Sequence, residues 1–138
     1  MAELTLEQHN GPTLHNPSWE DIESALRSIH PKDRGYFILA RPGEGYLQTA
    51  GARLRLICEW RTELGDQCFR HYVLGYAGRD ERLTSINTCV GIIQLRANEI
   101  MALDDVVAIF RCNYDEGTVP QSLVRRDDKA RFDRFGSG

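Results

Sequence analysis

The side chains with the most chemistry to offer are four cysteines, Cys58, Cys68, Cys89 and Cys112, and four histidines, His9, His15, His30 and His71. Nucleophilic catalysis needs a Ser, Cys or Thr held beside a base on a defined turn, and the chain has no G-x-S-x-G elbow and no local motif that would lower a thiol pKa. Cys68 and His71 are three apart in a β-rich run, so strand alternation sends their side chains to opposite faces. The histidines are dispersed, with no H-E-x-x-H and no C-x-x-C, which leaves zinc without its four ligands. The cysteines therefore read as small buried hydrophobes in a reducing compartment. Two glycine-bearing stretches, RPGEG (41–45) and GYAGRD (75–80), lack the Lys-Ser/Thr of a phosphate loop, and a tight hairpin turn accounts for the first. The expectation is a protein with no catalytic residues, no metal and no cofactor.

What remains is charge and aromatic surface. The chain carries 20 acidic against 17 basic side chains, a formal charge of -3, which gives no electrostatic case for direct nucleic-acid binding and favours a basic partner. Glu44, Glu63, Asp66, Asp80 and Glu81, with Asp115 and Glu116 further on, all fall where elements meet solvent. They are either an ordinary solubilising surface or a negative docking face that speeds encounter with a basic partner. Tyr46 and Tyr72 are strand formers by propensity or contact anchors of the kind enriched at interfaces. Glu59 alternates with Trp60, so with Trp60 inward it is a solvated strand residue or a partner contact.

The elements that must position these residues follow from spacing. Residues 1–15 are polar and broken by Gly11 and Pro12, and are expected as a flexible lead-in. In NPSWEDIESALRSIHP, Trp19, Ile22, Leu26 and Ile29 make one apolar stripe. Either Asn16 or Ser18 caps the start, and Pro31 ends the helix at His30. Runs 36–40 and 46–50 form a hairpin, and 53–61, 69–76 and 90–95 are further strands. In the third, Leu54, Leu56, Cys58 and Trp60 face inward. Ile100, Leu103, Val107, Phe110 and Tyr114 mark a second helix capped by Asn98 and stopped at Gly117. Residues 126–138 are charged and expected to fray, and the final GSG is a possible expression remnant. The fold expected is α+β: a single antiparallel β-sheet of about five strands packed against an N-terminal and a C-terminal α-helix, one domain over 16–125. The start of the chain lacks a secretory pattern and no window is apolar enough to span a bilayer, so a cytoplasmic protein without membrane contact is expected.

FIL (37–39), YLQ (46–48), LICEW (56–60), GIIQL (91–95) with NEI (98–100), and VVAIF (106–110), in that order after an amphipathic helix, resemble the Imm1 family of bacterial immunity proteins over residues 17–125. The resemblance implies an antitoxin that binds and neutralises a cognate polymorphic toxin, most often a deaminase-fold enzyme acting on nucleic-acid bases, and has no turnover of its own. It also implies a partner with a basic active-site cleft, met by Glu44, Tyr46, Glu59, Glu63, Asp66, Tyr72, Asp80 and Glu81. The alternative is a small-molecule-binding or adaptor domain without toxin-neutralising activity.

Overall fold

The computed structural model describes residues 3–130. In chain order the elements are β1 (Thr5–Gln8), β2 (Leu14–His15), α1 (Trp19–Arg27), β3 (Tyr36–Arg41), β4 (Gly45–Ala52), β5 (Arg55–Gly65), β6 (Cys68–Tyr76), β7 (Leu83–Thr88), β8 (Gly91–Arg96), a 3-10 turn (Ala97–Glu99), α2 (Leu103–Glu116) and β9 (Leu123–Asp127). The fold is α+β, and the pairing is antiparallel throughout. It is not one sheet of about five strands. Seven strands in the order β2-β1-β3-β4-β5-β6-β9 form the main sheet, and β7 and β8 form a separate two-stranded sheet.

The extra strands come from both ends of the chain. Residues 5–8, expected as lead-in, pair with β3 because Leu6 aligns with Leu39 and is fully buried beneath the helices. Asn16 ties β2 to the start of β1, its Oδ1 accepting from the Leu4 amide at 3.0 Å. At the other end β9 pairs with β6 from Leu123 to Asp127, so the expected fraying from residue 126 does not hold there. Arg126 is instead clamped by the buried carboxylate of Glu99 at 2.7 and 3.0 Å, an ion pair that compensates Glu99 for its lost water. The terminal GSG lies outside the described residues.

One face of the main sheet carries α1 and α2 over Phe37, Leu39, Leu47, Leu56, Cys58 and Leu74. Ser18 caps α1 in a reciprocal box with Asp21, and of the two arrangements offered by the sequence it is this one that forms. The helix stops at Arg27, a turn early. Ile29 still reaches the core from beyond the cap, and Pro31 sits in a turn closed by bonds between His30 and Arg34. The second helix begins at Leu103, not Asn98. Met101 exchanges two backbone bonds with Leu56 at 2.9 and 2.8 Å, which requires extended chain across residues where a helix was expected. Asn98 is buried and donates to the Tyr76 carbonyl. Gly117 ends α2 at φ 74°, as its position suggested.

The opposite face is covered too, which the alternation of β5 did not anticipate. The β7–β8 hairpin lies across it and buries Ile86 and Leu95 on Ile57 and Val73. Its turn residue Cys89 packs at Gly35, and the Ser85 carbonyl accepts from Arg55. Ile57, expected in water, is buried for this reason, and Glu59 is buried against Gln48 and His71, while Leu54 sits in the β4–β5 turn and is 77% exposed.

Candidate functional site

Strands β3 to β6 run alternately up and down, so the β3–β4 and β5–β6 turns share one end of the sheet. This end gathers Glu44 from the first turn with Glu63 and Asp66 from the second, all exposed. The turns are locked together by the Glu63 amide donating to the Glu44 carbonyl at 2.9 Å. Asp66 and Gln67 both take positive φ, 52° and 64°, the geometry of a two-residue hairpin turn that matches strand twist. Gly45 has φ 126°, and a Cβ there would lie 1.9 Å from the Arg61 carbonyl oxygen, so no other residue allows β4 to approach β5 this closely. The Arg41 guanidinium bonds the carbonyls of Asn113 and Tyr114, placing a cation on the negative end of α2 and fixing the first turn to the helix layer. A cleft of about 340 Å³ runs between the turns, lined by Ala40, Pro42, Gly43, Tyr46, Glu63 and Gly65 among others.

None of Glu44, Glu63 and Asp66 forms an ion pair among the described residues, whereas Asp80 and Glu81 do, with Arg82 and Arg96. Asp80 and Glu81 lie in the β6–β7 loop at the other end of the sheet. The expected acidic set is therefore split: three carboxylates converge with their charge available to a partner, and two are remote and locally neutralised.

Tyr46 and Tyr72 also part company. Register places Tyr46 on the hairpin-covered face opposite Arg61, while Tyr72 pairs with Trp60 on the helix face, their rings 5.9 Å apart. Trp60 and Tyr72 are both half-buried at the margin of the core. Only Tyr46 borders the acidic end.

Beneath Tyr46 lies a polar network that the sequence did not suggest. Register puts Gln48, Glu59, Arg61 and His71 on one face of neighbouring strands. Glu59, 3% exposed, accepts from Gln48 Nε2 at 2.6 Å and lies 3.1 Å from Nε2 of the fully buried His71. Arg61 Nε–H donates to His71 Nδ1 at 3.2 Å, so that nitrogen is an acceptor and the ring proton sits on Nε2, aimed at Glu59. The Arg61 guanidinium also stands 3.9 Å from the Phe69 ring centroid and 5.1 Å from that of Tyr46. A surface contact by Glu59 is thereby corrected: it is an interior hydrogen-bonding hub. Its clue was available, since Glu59, Arg61 and His71 share a face once the ELGD turn fixes the register.

The network orients and stiffens the strands under Tyr46, and with His71 fully buried its imidazole meets no solvent-borne substrate. Cys58 points into the helix-side core, where burial first and the Glu59 charge second hold its thiol protonated well above the ordinary range. Cys68 is exposed while His71 is buried three residues on. Among the described residues no group of three or more His, Cys, Asp or Glu is placed to hold a metal ion, and no helix is long and apolar enough to cross a membrane. No family model, curated protein or solved structure matches the chain.

Proposed function

We propose that the chain is an immunity-type inhibitor that neutralises a toxin by covering a basic, nucleic-acid-handling cleft with the acidic end of its sheet. The observation that carries this reading is the convergence of Glu44, Glu63 and Asp66 on two hydrogen-bonded turns, with no ion pairs of their own among the described residues. An enzyme that handles nucleic acid bases presents positive potential to its substrate, and a rigid negative surface matches it without any chemistry of its own. Rigidity matters because turns already fixed by Gly45, Arg41 and the buried Glu59 network lose little entropy on docking. The cleft beside Tyr46 and Glu63 offers an aromatic ring and a carboxylate to an incoming basic side chain. The Imm1 resemblance in the sequence supplies the same class of partner, and the deaminase-type toxin is its finer form.

The test is co-expression with deaminase-type bacterial toxin domains, scored for rescue of growth and for co-purification. The informative variant is Glu44→Lys with Glu63→Lys, because Asp66 occupies a positive φ that lysine tolerates poorly. This pair is expected to weaken binding about tenfold or more at low salt, on the order of 1.4 kcal/mol, chiefly through slower association. Rescue and affinity unaltered by reversing both charges would remove the acidic end from the interface.

A further inference from the structure

The two turns that end β5 carry opposite chemistry. At the acidic end the sequence is Glu63-Leu64-Gly65-Asp66, and at the other end the β4–β5 turn is Arg53-Leu54-Arg55. In each, an exposed leucine is flanked by like charges: Leu64 is 56% exposed and Leu54 is 77% exposed. Arg53 and Arg55 make no ion pair among the described residues, while Arg27, Arg82, Arg96, Arg111 and Arg126 each have a carboxylate partner. The Arg55 guanidinium instead donates to the carbonyl of Ser85. That contact ties the basic turn to β7 and leaves Arg53 and Leu54 exposed beside it.

We propose that these two ends bind one another between copies of the chain, the Glu63-Leu64-Gly65-Asp66 turn of one molecule seating on Arg53, Leu54 and Arg55 of the next. They cannot meet within one molecule, because the 11 residues of β5 hold them about 35 Å apart at the usual strand rise. Charge complementarity selects the occupant. Each turn offers two charges that form no ion pair among the described residues, and each leucine supplies the apolar contact that such exposed side chains otherwise leave to water. The contact is heterologous, joining different surfaces, so it propagates head to tail and does not close at a dimer. It goes beyond the proposed function, in which Arg53, Leu54 and Arg55 have no part. It also adds a regulatory consequence: a basic partner and a second copy compete for the same acidic turn, so self-association at high concentration holds back the inhibitor and the partner releases it.

The experiment uses the full chain and two variants whose ends are separately disabled. Arg53→Gln with Arg55→Gln keeps only the acidic end, and Glu63→Gln with Asp66→Asn keeps only the basic end; neutral replacements remove each charge without building its opposite, and asparagine tolerates the positive φ at 66. Both alter exposed residues, and circular dichroism verifies that each is folded. Sedimentation at low salt, where the Debye length is about 30 Å, is expected to show the mass of the unaltered chain growing with concentration. It is expected to return to the 15.7 kDa monomer at about 1 M salt, where that length is about 3 Å. Each variant alone is expected to stay monomeric, and their equimolar mixture to stop at twice the monomer mass, because each contributes one competent end. A monomeric unaltered chain at all concentrations, association insensitive to salt, or a mixture that remains monomeric would overturn the proposal. Failure here with toxin rescue retained by Arg53→Gln/Arg55→Gln would remove self-association and leave the proposed function standing.

Discussion

Replacing Glu59 with alanine tests the interior network directly. The carboxylate accepts from Gln48 Nε2, which is half-buried, and faces the Nε2 proton of His71, which is fully buried. Truncation removes two hydrogen bonds made to a charged acceptor, about 1.5–3 kcal/mol each, so roughly 4 kcal/mol is expected. With an unfolding entropy near 2.1 cal/mol/K per residue over 138 residues, this corresponds to a fall in Tm of about 14 °C. Glu59→Gln keeps the shape and one acceptor, and a turned-over Gln48 amide can satisfy its new N–H group, so a loss of only about 1–2 kcal/mol is expected. Glu7→Ala, an exposed carboxylate on β1 in register with Ile38, is the control and should stay within about 0.5 kcal/mol. Urea unfolding followed by tryptophan fluorescence reads all three, with an unchanged m-value as the condition for comparing midpoints. If Glu59→Ala unfolds within about 0.5 kcal/mol of the unaltered protein, Glu59 is not the hub described here and the sequence expectation of a solvated residue is restored.

Gly45→Ala introduces a Cβ against a backbone oxygen at a φ reserved for glycine and should cost about 3 kcal/mol. Gly43→Ala, at φ 83° with open space around it, should cost only about 1 kcal/mol, and equal losses in denaturation would contradict the close β4–β5 approach. The Tyr76 phenol is held protonated above its ordinary range, first by burial and then by its hydrogen bond to Asp105. The folded state therefore keeps this proton to higher pH than the unfolded chain, so the stabilisation is full below about pH 10 and is lost as pH rises through the folded value. Ultraviolet titration should show one of the five tyrosines ionising late, and Tyr76→Phe should flatten the alkaline loss of stability; simultaneous ionisation of all five would refute it.

Local pattern alone determined a good deal of this protein. The stripe Trp19, Ile22, Leu26 and the Ser18–Asp21 box specify α1, the Pro-Gly turn specifies the β3–β4 hairpin, and Gly117 stops α2, because each depends on neighbours within a turn or two. Alternation also placed Leu56, Cys58 and Trp60 together on the helix side of β5. What escaped the sequence were contacts between distant segments. Leu4 and Leu6 alternate like a strand but are too few to stand out, and only Leu39 gives Leu6 somewhere to go. Residues 100–102 read as helix until Leu56 claims the Met101 backbone. Glu59 reads as exposed until register brings Gln48 and His71 against it.

The division of the acidic residues is of the same kind. Five loop carboxylates look equivalent along the chain, yet strand direction sends Glu44, Glu63 and Asp66 to one end and Asp80 and Glu81 to the other, where Arg82 and Arg96 neutralise them. Sequence sets which side chains are charged and which local turns hold them. Only tertiary structure sets which charges share a surface, because that depends on strand order and on which counter-charges the fold carries to within ion-pair distance.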